Sequence, residues 1–113
     1  MPGKLTTHVL DTAAGTPAGG MRVVLDRDGE ELANVVLNAD GRADSPLLEG
    51  EAFHGGTYRL TFHVGDYFCA RGNLDSGRFL KEVPIVFVVD EPLKHYHVPL
   101  LVSPWSYSTY RGS

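Results

Sequence analysis

The chain has 113 residues, of which 42% are hydrophobic and 21% are charged, and its formal net charge is -4. This length suits a single domain over residues 1–113. The mildly acidic charge and the lack of a Lys/Arg run exclude nucleic acid and an anionic membrane surface as expected partners. The sequence has no signal-like apolar segment and no run long enough to span a bilayer, so the predicted compartment is the cytoplasm.

Period-two alternation of apolar and polar residues predicts a chain built mainly from β-strands. The predicted strands cover residues 5–11, 21–25, 31–37, 58–64, 84–89, 95–103 and 106–111. Tight turns are predicted at Asp28-Gly29 and over residues 38–42. The apolar run at 84–89 is typical of a strand covered on both faces. One short helix is expected around 66–74, and short turns between many strands favour an antiparallel sandwich or barrel.

Cys69 is the single cysteine, so an intramolecular disulfide is impossible and the fold depends on packing. We expect Cys69 to be a small buried or half-buried apolar residue. A small sandwich also leaves edge strands that need cover, and self-association is one way to provide it.

Two of the five histidines have predictable directions because they lie in strands. His8 shares a face with Thr6 and Leu10, and His97 shares a face with His95. The opposite faces carry mainly apolar residues, which predicts that His8 and His97 point away from the core. His54 and His63 have no neighbours that suggest a site. The histidines are, in sequence order, His8, His54, His63, His95 and His97.

Metal binding and covalent catalysis are the alternatives that these residues raise. His95 and His97 lie on one face of a strand, and His8 could complete a zinc triad. No nearby cysteine or carboxylate completes an obvious ligand set, so we expect no metal and no cofactor. Nucleophilic serines are also weakly supported, because none lies in a recognised nucleophile motif; the candidates are Ser103, Ser106 and Ser108.

Several blocks of the sequence resemble one family. The segment HYHVPLLVSPWSYSTYRGS at 95–113 is similar to the C-terminal signature of the 5-hydroxyisourate hydrolases of the transthyretin-like family, and LTTHVLD at 5–11 is similar to their N-terminal signature. Residues 40–42 resemble the motif that carries the family's substrate arginine, and GDYF at 65–68 also resembles the family. The family's C-terminal block usually reads LLLSPYGYSTYRGS, so this chain departs from it at Val102, Trp105 and Ser106.

This resemblance implies an all-β, transthyretin-like sandwich of two four-stranded antiparallel sheets with one short helix. It implies a homotetramer with active sites at the dimer–dimer interface, and hydrolysis of the small molecule 5-hydroxyisourate. Carried over by position, the catalytic residues are His8, Arg42 and His97. Substrate binding is assigned to His8, Arg42, Ser108 and Tyr110.

A carrier of a small aromatic ligand, of the transthyretin type, is the alternative function. Transthyretins resemble this chain less well at the two ends, because they lack a histidine at the position of His8 and the terminal YRGS sequence. Convergence of two histidines, an arginine and a tyrosine would suit chemistry better than passive apolar binding.

Overall fold

The computed structural model describes residues 3–112, which form nine strands, one α-helix and one short 3₁₀ turn. The long strands agree with the predicted ones to within a few residues, whereas two strands of two residues each, Thr16–Pro17 and Leu48–Glu49, were not predicted. The elements in chain order are β1 Lys4–Asp11, β2 Thr16–Pro17, β3 Arg22–Arg27, β4 Glu30–Val36, β5 Leu48–Glu49, the 3₁₀ turn Gly50–Ala52, β6 Gly56–Phe62, α1 Val64–Ala70, β7 Val83–Val89, β8 His95–Val102 and β9 Tyr107–Thr109.

The strands form two sheets that enclose the core, which confirms the predicted two-sheet sandwich. Sheet I has five strands, in the order β2-β1-β8-β9 with β5 paired to β1, and sheet II has the order β4-β3-β6-β7. The expected count of four strands per sheet therefore holds for sheet II. Sheet I gains β5, which pairs with the start of β1 while β2 pairs with its end.

One strand pair of sheet I departs from the antiparallel prediction. β1 and β8 are parallel, with Leu5 beside Tyr96 and Val9 beside Leu100. Parallel strands need a long crossover connection, and here residues 12–94 provide it. Alternation along a single strand cannot reveal this, because it specifies which face is buried and not which strand is the neighbour.

The predicted core face is confirmed in both central strands of sheet I. Leu5 and Val9 of β1, and Tyr96, Val98 and Leu100 of β8, are buried. The intervening side chains are half-buried on the outer face, apart from exposed Lys4 and buried Pro99. Burial of one apolar face against sheet II is what fixes the register, since a slip of one residue would turn the histidines of these two strands, His8, His95 and His97, toward the core.

The interpretation of residues 84–89 as a strand covered on both faces is wrong. β7 is the edge strand of sheet II, and both Val86 and Val88 are 64% exposed. The expected burial of Cys69 is also wrong, because this residue is exposed on α1.

Helix α1 begins and ends earlier than predicted. It ends early because Gly72 adopts a φ of 70° and terminates it. The N–H groups of Gly72 and Asn73 then bond back to the last carbonyls, those of Cys69 and Phe68. Over residues 3–112, no helix is both long and apolar enough to cross a membrane.

Candidate active site

The outer face of sheet I brings together side chains from β1 and β8. The parallel register sets Thr6 beside His97 and His8 beside Pro99. His8, His95 and His97 are all half-buried on this face. The prediction that His8 and His97 share an outward face is confirmed.

Arg42 reaches this face through the turn at residues 38–42. The Asn38 side-chain oxygen accepts the backbone N–H groups of Asp40 at 2.9 Å and Arg42 at 3.2 Å. Gly41 has a φ of 73°, and a Cβ built on it would lie 2.5 Å from the Val9 carbonyl oxygen. Only glycine allows this close approach, in which the Val9 N–H donates to the Gly41 carbonyl at 2.9 Å.

The same approach makes Arg42 and His8 partners in an isolated β-bridge. The turn therefore holds the arginine backbone directly against the strand that carries the histidine. The Arg42 side chain is exposed, so its guanidinium remains available to a ligand on the outer face of sheet I.

Burial and the positive charge of Arg42 keep both histidines neutral near pH 7. Burial lowers the pKa of His8, Arg42 lowers it further, and Asp40 acts in the opposite direction. Burial also lowers the pKa of His97, with added contributions from Arg42, His95 and His8. A neutral imidazole has one nitrogen that can accept a proton and one that can donate, which suits general acid–base catalysis.

The C-terminal segment contacts the site through its backbone. Ser108 pairs with Leu101, whose side chain points outward, so Ser108 belongs to the outer face of sheet I. Gly112 donates its N–H to the His97 carbonyl at 2.8 Å. A Cβ on Gly112 would lie only 2.8 Å from Cδ2 of the His97 ring, so the missing side chain is what permits this contact. Ser113 of the terminal block lies outside the described residues.

Tyr110 and Arg111 line a cleft that the two histidines do not line. Tyr110 is 60% exposed and lines a cleft of about 250 Å³ beside strand β7, which none of His8, Arg42 and His97 lines. Arg111 lies over the Tyr96 ring, with 4.1 Å between its guanidinium carbon and the ring centroid. Within one chain, Tyr110 lines a cleft that none of the other predicted site residues lines.

Ser103 and Ser106 belong to a turn, and their hydrogen bonds there account for them without a nucleophilic role. Ser103 Oγ accepts the N–H groups of Trp105 and Ser106, both at 3.1 Å, in the turn between β8 and β9. His63 and His54 lie away from this face, at the start of α1 and in the loop before β6. Within residues 3–112, no three His, Cys, Asp or Glu side chains are placed to hold a metal ion.

Three residues that position the site were not predicted as functional. Thr6 was placed on the outward face, but its hydroxyl contacts with His95 and His97 could not be predicted without the parallel register. Asn38 and Gly41 had a usable signal, since Asn at the start of a turn and Gly within it favour this backbone geometry. The sequence does not show which strand this turn packs against.

Two neutral histidines beside an arginine, on the open face of a β-sandwich, define a protein equipped for acid–base chemistry on a small polar molecule. The chain belongs to the HIUase/transthyretin family, whose model matches residues 5–112. The 5-hydroxyisourate hydrolase 2 of Rhizobium meliloti (strain 1021) is 53% identical to it over 116 residues, covering 98% of this chain and 97% of the relative.

Solved structures agree with this assignment. The structure of Klebsiella pneumoniae 5-hydroxyisourate hydrolase is 40% identical with a TM-score of 0.86, and the match covers 98% of this chain and 99% of that one. An (S)-allantoin synthase is 48% identical with a TM-score of 0.93, covering 99% of this chain but only 44% of the synthase. Sea bream transthyretin in complex with thyroxine is 31% identical with a TM-score of 0.84, covering 96% of this chain and 94% of that one.

Proposed function

We propose that this chain hydrolyses 5-hydroxyisourate to 2-oxo-4-hydroxy-4-carboxy-5-ureidoimidazoline, a step in urate degradation. The observation that carries the proposal is the placement of His8, His97 and Arg42 on one face, with the pKa values of both histidines lowered. Full-length similarity to proteins named 5-hydroxyisourate hydrolase supports the same reaction.

The reaction requires an activated water, a site for the developing oxyanion and a proton for the leaving nitrogen. In the proposed mechanism, one of His8 and His97 takes a proton from water as the water oxygen attacks the ring carbonyl carbon. The C–N bond then breaks, and a proton passes to the departing nitrogen from the histidine pair. The Arg42 guanidinium holds the substrate carbonyls and stabilises the oxyanion.

We assign substrate binding to Ser108 and Tyr110 as well as to His8 and Arg42. Ser108 lies on the outer face of sheet I, which supports its assignment. Tyr110 lines a separate cleft of its own chain, so its role depends on assembly. A homotetramer with sites at the dimer–dimer interface would bring chains together over this open face and enclose the substrate.

The alternative is a carrier of a small aromatic ligand, as the thyroxine complex of sea bream transthyretin illustrates for that protein. Half-buried histidines with lowered pKa values favour chemistry over storage, because a carrier gains little from two proton-transfer groups in its site. Lower identity to the transthyretin than to the hydrolases points the same way.

Ultraviolet absorbance on freshly generated 5-hydroxyisourate separates the two functions. A hydrolase consumes many substrate molecules per chain and increases the decay rate in proportion to protein concentration. A carrier would remove at most about one equivalent and leave the remaining decay at the rate seen in buffer. The second outcome would contradict the proposal.

A further inference from the structure

The Thr6 hydroxyl lies between two histidine rings on the outer face of sheet I. Its oxygen is 2.7 Å from Nε2 of His95 and 2.8 Å from Nδ1 of His97. Both distances lie within the normal range for hydrogen bonds. The centroids of the His95 and His97 rings are 6.2 Å apart. The hydroxyl therefore connects a histidine assigned to catalysis with one that has no assigned role.

A hydroxyl has a single hydrogen, so it can donate to only one of these two nitrogens. The other nitrogen must then carry its own hydrogen and donate to the Thr6 oxygen. The protonation of the two rings is complementary as a result: one nitrogen facing Thr6 is protonated and the other is bare. If the hydrogen lies on His97 Nδ1, then Nε2 of the neutral His97 ring is bare. If the hydrogen lies on His95 Nε2 instead, then His97 Nε2 carries a hydrogen.

We propose that Thr6 and His95 are positioning residues that hold His97 in the tautomer with hydrogen on Nδ1. In this arrangement His97 Nδ1–H donates to Thr6, and the Thr6 hydroxyl donates to His95 Nε2. His97 Nε2 is then left with a free lone pair for the attacking water. The catalytic consequence rests on the proposed function, whereas the tautomer itself can be measured without any substrate.

The same connection gives the incoming proton a route away from Arg42. When His97 Nε2 takes a proton from water, Nδ1 passes its hydrogen to Thr6, and Thr6 passes its own hydrogen to His95 Nε2. His97 ends neutral with hydrogen on Nε2, Thr6 keeps one hydrogen, and His95 carries the added proton. This relay moves the charge from the ring beside Arg42 to the ring beside Lys4. The pKa of His95 is also lowered, first by burial and then by Lys4, so His95 holds the proton only until it is returned.

After the relay, His97 has the N–H on Nε2 that the leaving nitrogen requires. On this relay His97 is the member of the His8–His97 pair that takes the proton from water, and the pair then supplies a proton to the leaving nitrogen. The charged or titratable groups that affect His97 are Arg42 from the 38–42 turn, His8 from β1 and His95 from its own strand.

Long-range ¹H–¹⁵N NMR on the histidine rings of the full-length protein, at a pH where they are neutral, reads the tautomer directly. We expect the unmodified protein and the Thr6→Ser variant to show hydrogen on His97 Nδ1. Thr6→Val keeps the side-chain shape without the hydroxyl, and should shift His97 to the Nε2–H form. His95→Phe should shift it as well, because the Thr6 hydrogen can then turn to Nδ1. His54→Phe, which removes an exposed histidine remote from the site, is the matched control and should change nothing.

An Nε2–H tautomer of His97 in the unmodified protein would overturn the proposal. So would an unchanged tautomer in either Thr6→Val or His95→Phe, since each variant removes one link of the connection.

Kinetics provide the second readout. Thr6→Val and His95→Phe should lower kcat roughly tenfold to a hundredfold with little change in KM, as expected when a histidine loses the group that orients it. Thr6→Ser should retain near-native kcat. Near-native kcat in Thr6→Val and His95→Phe as well would remove the relay from the mechanism. If the NMR result holds but the protein does not turn over 5-hydroxyisourate, the proposed function fails and the tautomer assignment stands.

Discussion

The replacement Gly112→Ala should disable the site through one contact, without altering the fold. A Cβ at this position would lie 2.8 Å from Cδ2 of His97 and 3.2 Å from its Cβ. Carbon atoms prefer separations of about 3.5–4.0 Å, so the ring and the Gly112 backbone must move apart by about 0.7 Å or more, and we expect the ring to take part of this shift. Cδ2 is bonded to Nε2, so the displaced atoms include the nitrogen that handles the proton.

A misplacement of about 1 Å can cost roughly 10² in rate, and we expect kcat/KM of Gly112→Ala to fall by 10- to 100-fold on that scale. The free energy of unfolding should change by less than about 1 kcal/mol, because the substitution lies in the C-terminal segment, outside the core. The assay is the initial decay of 5-hydroxyisourate absorbance, with urea unfolding measured in parallel.

A double-mutant cycle with His97→Ala isolates the cause of this loss. If Gly112→Ala acts only by displacing the ring, it should cost nothing further once the ring has been removed. Native activity in the single variant, or an equal loss in both backgrounds, would refute the reasoning.

Four further predictions test the site. His8→Asn and His97→Asn should each lower kcat/KM by roughly 10²–10⁴ while the protein stays folded. Arg42→Lys should also lower activity, because an ammonium lacks the planar fork of a guanidinium. Near-native turnover in any of these variants would remove that residue's proposed role. The acidic limb of the kcat/KM profile should lie below pH 6.5, because protonation removes the base and both histidine pKa values are lowered from 6.5; a limb above that value would contradict the assignment. Activity should survive dialysis against EDTA, and loss with recovery on adding zinc would require a metal mechanism instead. Deleting residues 110–113 should abolish activity and leave a folded, mainly tetrameric protein by size-exclusion chromatography; monomers would show that the tail serves assembly.

Local patterns in the sequence predicted most of the fold and the direction of its key side chains. Alternation in β1 and β8 placed His8 and His97 outward, and both lie there. The Asp28-Gly29 turn is confirmed as well, with positive φ values of 53° and 82°. These features depend on residues close together in the chain, which is why the sequence reveals them.

The features that were wrong or missed depend on which strands become neighbours. An apolar run such as residues 84–89 looks the same at a sheet edge as in its centre, so only the sheet order shows that Val86 is exposed. The Thr6 contacts likewise join residues separated by 89 and 91 positions. Resemblance to a family supplied the site residues, but it did not show that Tyr110 lines a cleft beside strand β7 that the others do not line.

We propose that His8 and His97 act as one catalytic unit beside Arg42. The most direct test is kcat/KM of the double variant His8→Asn/His97→Asn on 5-hydroxyisourate, measured beside the two single variants. Groups that act together lose most of their effect with the first substitution, so the double variant should be about as slow as the slower single variant. Losses that multiply would show that the histidines contribute independently, and near-native activity of the double variant would contradict the proposed mechanism altogether.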